Sequence, residues 1–175
     1  TFFKNYYDLL EKKNLKILDV GGALTVFTRI LSEIHDFTLC EIFNYETKKQ
    51  ISYFKKTKIV NYDWINHKFG FYDIIVANDL FPNVDQRLEL FLLKALPHCK
   101  ELRISLTVDN NENFYNVKRV RGNELMCLKG MNGECVYNIL KKYLKNINKL
   151  NLDELNYNKD SLWNNGRQVF LLKIR

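Results

Sequence analysis

The positions of apolar and polar residues change period several times along the chain. Residues 2–13 (FFKNYYDLLEKK) set Phe2, Tyr6, Leu9 and Leu10 at helical spacing. A short apolar run, LKILDV (15–20), ends in Asp19 and Val20 just before Gly21 and Gly22. Beyond the glycines, Leu24, Phe27, Ile30, Leu31 and Ile34 recur three and four apart, which predicts a helix after the turn. FTLCEIF (37–43) reads as a second strand, 44–56 as polar helix, and KIVNYDW (58–64) as a third strand. FYDIIVAN (71–78), apolar on both faces, is the fourth strand and runs into Asn78 and Asp79. Pro82 interrupts the loop after it, Arg87 to Leu96 is helical, and LRISLTV (102–108) is a fifth strand. The stretch 107–133 is less regular and holds NVKRV (116–120), a further strand or hairpin. ECVYNILKKYLK (134–145) is helical, and INKLNLDEL (147–155) and QVFLLKI (168–174) are closing strands around an Asn164-Asn165-Gly166 turn.

Strands alternating with helices predict a doubly wound α/β fold, with a mostly parallel sheet and helices on both faces. The last two strands have no helix between them and are expected to be antiparallel neighbours, which makes seven strands with the C-terminal one antiparallel. At 175 residues, with no repeat and no linker, residues 1–175 read as a single domain. An apolar fraction of 46% is enough for a core, and only 7 Gly and 2 Pro exclude low-complexity and collagen-like classes.

The net charge of +7 permits an anionic partner without requiring one. Twenty of the 27 cations are Lys, beside 21 Asn, a bias that reads as compositional more than as an Arg-rich nucleic-acid face. Cys40, Cys99, Cys127 and Cys135 match neither CxxC pairs nor zinc spacings, and His35, His67 and His98 are scattered, so no metal site is expected. Cys40 and Cys99 read as core thiols. No apolar stretch approaches the roughly 20 residues of a membrane span and no signal-peptide pattern opens the chain, so the expected location is cytoplasmic.

In a sheet of this kind ligands bind beyond the carboxyl ends of the strands, near the point where strand order reverses. The first tip, Asp19 to Thr25, carries Gly21, Gly22 and Ala23, a turn that lets backbone approach a ligand and exposes helix N–H groups. A plain strand-to-helix turn would look the same. Glu41 with Ile42 ends the second strand about 20 residues on, where a carboxylate can accept both hydroxyls of a ribose; a solvated edge Glu is the alternative. Asp63 beside Tyr62 and Trp64 offers an acceptor next to flat aromatic surface, although aromatics in core packing give the same pattern. Asn78, Asp79 and Leu80 follow the fourth strand, as a site or as a helix cap.

LKILDVGGALT, Glu41, Asp63 and YDIIVANDLF (72–81) together resemble the class I S-adenosylmethionine-dependent methyltransferases, over nearly the whole chain. The resemblance implies their Rossmann-like seven-stranded fold, S-adenosyl-L-methionine as cofactor and S-adenosyl-L-homocysteine as product. Cofactor contacts would fall on Asp19, Gly21, Gly22, Ala23, Glu41, Ile42, Asp63, Trp64, Asn78 and Leu80. Of the family's three alternate glycines only Gly21 is present, with Ala23 and Thr25 in the other two places. The NPPY sequence of base amino-group methyltransferases is replaced by Asn78-Asp79-Leu80-Phe81, which argues against adenine or cytosine amino acceptors. A nicotinamide dehydrogenase would want G-x-G-x-x-G where this turn offers Gly21, Ala23 and Val26, and Val26 is expected to obstruct helix–strand packing.

A hydroxyl acceptor needs a general base whereas a phosphate-type oxygen does not. Asp79 is the first candidate base; His98 falls at the start of the fifth strand, the wrong end. Acceptor contacts are expected from Tyr115, Lys118, Arg119 and Arg121, a local basic cluster that could clamp an anion or be a solvated face. The small, Lys/Asn-rich chain resembles methyltransferases of bacterial capsule and surface-polysaccharide biosynthesis, which implies a small-molecule or glycan acceptor methylated on a sugar, phosphate or phosphoramidate oxygen. An RNA methyltransferase and a non-catalytic cofactor-binding domain are the alternatives.

Overall fold

A computed structural model describes residues 3–42, 48–119, 123–144 and 167–175. Among these residues, eight strands and five α-helices follow in the order α1 (Lys4–Tyr7), β1 (Lys16–Val20), α2 (Val26–Ile34), β2 (Asp36–Cys40), α3 (Lys48–Ser52), β3 (Lys58–Val60), β4 (Tyr72–Phe81), α4 (Leu88–Ala95), β5 (Cys99–Val108), β6 (Phe114–Arg119), β7 (Glu124–Lys129), α5 (Gly133–Tyr143) and β8 (Gln168–Ile174). Six of the strands form one sheet in the order β3-β2-β1-β4-β5-β8, and β6-β7 pair separately. The first five sheet strands run parallel and β8 is antiparallel to β5. The chain order reverses between β1 and β4, which places the switch point of the sheet beside the glycine turn.

Alternation along the strands divides the core. Ile17, Ile74 and Val76 pack with Leu9 and with Leu31 of α2. Their neighbours Leu18, Ile75 and Ala77 pack with Phe91 and Leu92 of α4 and Val136 and Leu140 of α5. Leu18, Ile75, Phe91 and Leu140 are fully buried, each contributing about 1.5–3 kcal/mol relative to exposure. No helix among the described residues is long and apolar enough to cross a membrane.

Several boundaries differ from the sequence reading. The opening helix is only Lys4–Tyr7, and β2 stops at Cys40. The third strand covers only Lys58–Val60, because the Asp63 side chain accepts from Ile65 N and starts a 3-10 turn, Trp64–Asn66. β4 extends to Phe81 and β5 begins at Cys99. The irregular stretch is an antiparallel hairpin, β6-β7, with Asn116 opposite Cys127 and Lys118 opposite Leu125. The expected strand at 147–155 and the turn at 164–166 lie outside the described residues. Val26, at the first turn of α2, is 63% exposed and does not stand between helix and strand. Its size therefore gives no argument against a dinucleotide-type turn.

Candidate active site

The sequence at the end of β1 shapes the turn directly. Gly21 and Ala23 both have positive φ, 70° and 55°, the left-handed region that costs a non-glycine residue about 1–2 kcal/mol. Thr25 then caps α2: its side chain accepts from Thr28 N, and the Thr28 side chain accepts from Thr25 N in return. The third family glycine is thus replaced by a residue that starts the helix. A Cβ on Gly21 would come within 3.0 Å of the Leu80 side chain, and one on Gly22 within 2.2 Å of Asp19 Oδ2, so Gly22 rests on the Asp19 carboxylate.

Asp19 is buried. Its Oδ2 accepts from the Tyr6 hydroxyl at 2.7 Å, and its Oδ1 has no partner among the described residues. Burial pushes its carboxyl up to about 7, against the pull of the Tyr6 hydrogen bond and with the help of Glu41. Glu41 follows β2 and braces the turn from the other side: Oε2 accepts from Ala23 N at 3.3 Å and Oε1 from Ile42 N at 2.8 Å.

Between these tips lies a cavity of about 430 Å³, lined by Gly21, Glu41, Ile42, Tyr62, Asp63 and Trp64, with Leu80 and the loop Val84–Arg87 completing it. This volume is within the range of small-molecule sites. Ile42 and Tyr62 are exposed at its rim, and Trp64 is buried, edge-on to Phe81 and Phe91. Trp64 therefore serves the core and the cavity wall at once. Burial pushes the Asp63 carboxyl up, but hydrogen bonds from Arg87 and from Ile65 N hold it below its ordinary value. Cys40 also lines the cavity, its thiol pushed up to about 12 by burial.

Asp79 lies beside this cavity, not in its wall. It has positive φ, 54°, and its N–H donates to Ser105 Oγ at 2.7 Å. Its Oδ1 accepts from Thr107 Oγ1 at 2.7 Å and from Asn83 Nδ2 at 3.0 Å. Asn83 in turn accepts from Arg167, whose Nη2 also donates to the Tyr115 hydroxyl at 3.0 Å and whose Nε pairs with Asp109 at 3.2 Å. The carboxylate is thus held at one oxygen by donors from two elements.

Of the residues singled out in the sequence, the cavity wall takes in Gly21, Glu41, Ile42, Asp63, Trp64 and Leu80. Asp19, Gly22 and Ala23 support it from behind the turn. Asn78 is turned to α1 instead, where its Oδ1 accepts from Asn5 Nδ2 at 2.8 Å. The basic cluster is not assembled as expected. Strand alternation sends Tyr115 and Lys118 to opposite faces of the hairpin, with Tyr115 half-buried at Arg167 and Lys118 exposed. Arg119 ends β6, and Arg121 lies outside the described residues. His98 precedes β5, at the far end from Val108, with Nδ1 at 2.9 Å from Lys94 O. Among the described residues no group of three or more His, Cys, Asp or Glu is placed to hold a metal ion. Sequence reasoning missed Asp85, Arg87 and Arg167, whose partners are distant in the chain; the only local sign was the Asp85-x-Arg87 pair ahead of α4.

No family model matches the chain, and neither does any curated protein sequence. Solved structures do match. The N-terminal domain of EvdMO1, crystallised in the presence of SAH and D-fucose, aligns with a TM-score of 0.66 at 11% identity, over 98% of this chain and 80% of that one. The same domain with SAH bound gives 0.59 at 13% identity, over 80% and 68%. The chain has the methyltransferase fold. The glycopeptide N-methyltransferase MtfA, complexed with sinefungin, shares that fold with a TM-score of 0.52 at 8% identity, over 80% of this chain and 73% of that one.

Proposed function

We propose that residues 1–175 form a single cytoplasmic S-adenosylmethionine-dependent methyltransferase domain acting on a small-molecule or glycan acceptor. The observation that carries this reading is the cavity at the switch point, lined by Gly21, Glu41, Asp63, Trp64 and Leu80. The residues present suit the cofactor. Gly21 leaves space against Leu80 that a Cβ would fill, Glu41 and Asp63 offer acceptors, and Trp64 and Ile42 offer apolar surface. The structural neighbours with SAH or sinefungin bound support the same reading.

The cofactor supplies a methyl group already activated on a sulfonium. The chain's own part is to position the acceptor, exclude water and take a proton. Asp79 suits the last role. Thr107 and Asn83 fix its carboxylate through Oδ1, and Oδ2 has no partner among the described residues. A sugar hydroxyl, which has a proton to give, therefore fits better than a phosphate or phosphoramidate oxygen, which would face Asp79 and Asp109. O-methylation of a sugar hydroxyl in capsule or surface-polysaccharide biosynthesis is the specific form we favour.

A thermal-shift titration with S-adenosylmethionine, SAH and NAD tests the reading. A ligand at 100 times its Kd stabilises by about 2.7 kcal/mol, roughly 5–11 °C for a chain of this length. A shift with the two sulfur ligands and none with NAD is expected; a shift with NAD alone would overturn the reading.

A further inference from the structure

One guanidinium closes the end of the cavity formed by Asp63 and Trp64. Arg87 donates from Nη1 to Asp63 Oδ2 at 2.9 Å and from Nη2 to Asp63 Oδ1 at 3.0 Å. On its other side, Nε and Nη2 donate to Asp85 Oδ1 and Oδ2 at 2.9 and 2.7 Å. Asp85 Oδ2 also accepts from Trp64 Nε1 at 2.7 Å, and Arg87 Cζ stands 4.9 Å from the centre of the Trp64 ring. The loop after β3 and the loop between β4 and α4 are thereby joined through a double fork, a geometry that arginine alone provides.

The lone pairs of Asp63 can be accounted for. Oδ1 accepts from Ile65 N at 3.1 Å and from Arg87 Nη2. Oδ2 accepts, among the described residues, only from Arg87 Nη1. Since a carboxylate oxygen accepts about two hydrogen bonds, Oδ2 keeps room for one more N–H.

We propose that Arg87 is a positioning residue that makes the site selective for a 6-amino over a 6-oxo purine nucleoside, by holding the Asp63 carboxylate aimed with room at Oδ2 for one more donor. This rests on the methyltransferase reading above. A 6-amino group brings an N–H to that oxygen. A 6-oxo group brings a second acceptor, so two acceptors face each other with no proton between them. Without Arg87, Asp63 is free to turn toward water, so affinity for the amino base falls and selectivity falls with it. The Arg87 and Asp63 side chains are 37% and 29% exposed. That pair contributes little to fold stability. The Asp85 side chain, however, is only 9% exposed, so loss of its guanidinium lowers stability, and the melting temperatures are read beside the Kd values.

The test is the Kd of SAH and of its hypoxanthine counterpart, S-inosyl-L-homocysteine, by calorimetry, for the wild type, Arg87→Met and Arg87→Lys, with melting temperatures in parallel. The wild type is expected to prefer SAH by about tenfold or more. Arg87→Met should bring the two ligands within about threefold, and Arg87→Lys, which keeps the charge without the fork, should fall between. A wild-type preference retained in both variants would overturn the inference alone. A wild type that binds neither ligand would overturn the methyltransferase reading, and this inference with it.

Discussion

The Tyr6 hydroxyl donates to Asp19 Oδ2 at 2.7 Å, so a residue of the first helix holds the acid beneath the glycine turn. Both groups are buried, and the bond is one of the counterweights to the burial of Asp19. Tyr6→Phe should cost about 1–3 kcal/mol, the range for leaving a buried polar group unpaired. The pH dependence follows from the direction of the shift. The folded-state carboxyl, at about 7, lies above its ordinary 3.8, so the native state binds the extra proton between these values. The stability Asp19 contributes is therefore fully present below pH 3.8, declines as pH rises toward 7 and is lost above it. In Tyr6→Phe that decline should extend to higher pH. Urea unfolding of both proteins between pH 4 and 9 checks it.

The two glycines of the turn should respond differently to alanine. At Gly22 the added Cβ would meet a buried carboxylate at 2.2 Å, so Gly22→Ala should lose about 1–3 kcal/mol of stability and the cofactor site together. At Gly21 the obstacle is the flexible end of Leu80 at 3.0 Å, with positive φ as an added cost. Gly21→Ala should therefore weaken SAH binding more than it lowers the melting temperature. Denaturant unfolding and SAH titration of the pair separate the two effects.

Asp79→Asn keeps the shape and removes the carboxylate. Turnover should fall by about 100-fold or more, the usual worth of a positioned base, while the Kd for SAH changes less than threefold. Thr107→Val, which deletes one of the two donors to Oδ1, should lower turnover by a smaller factor. Single-turnover rates alongside SAH binding test both; full activity in Asp79→Asn would mean an acceptor that needs no base.

Arg103 is fully buried on β5, donating to Glu101 at 2.6 Å, to Asp8 at 2.7 and 2.9 Å and to Asn5 O at 2.5 Å. Arg103→Met should destabilise by about 3 kcal/mol, because it strands the carboxylates that the guanidinium serves. Hydrogen bonds from Arg103 hold Asp8 well below the usual carboxylate range, so this stabilisation is full above that range and is lost as pH falls below it toward the lowered folded-state value. The variant should show a flatter acid limb in its unfolding midpoints.

The sheet was readable because its strands carry their own signal. β4 and β8 are apolar runs, and Asp19, Glu41, Asp63 and Asp79 lie at or near the carboxyl ends of β1, β2, β3 and β4. The hairpin was only half legible. Its outward face carries Phe114 at 76% and Leu125 at 74% exposure, so burial did not mark one face as inner, and Lys118 was grouped with Tyr115 across the pleat. Arg87 and Arg167 were hidden for another reason. Arg87 meets Asp63 across 24 residues and Arg167 meets Asn83 across 84, contacts that no local period encodes. Asn78 was placed by its position at the strand tip, but its partner Asn5 is 73 residues away.

The buried guanidinium of Arg103 also orders events during synthesis. Asp8 precedes it by 95 residues, and Arg175, which secures the second oxygen of Glu101 at 2.8 Å, follows Glu101 by 74. While the chain is leaving the ribosome, the early carboxylate waits for its cation, and the cluster is complete only after the residues of the last strand emerge. Contacts of this sequence separation are slow to form. A nascent chain halted before Gln168 therefore carries the whole glycine turn and the Arg103–Asp8 pair but lacks the strand that flanks β5, and Glu101 is without its second guanidinium until that strand is added.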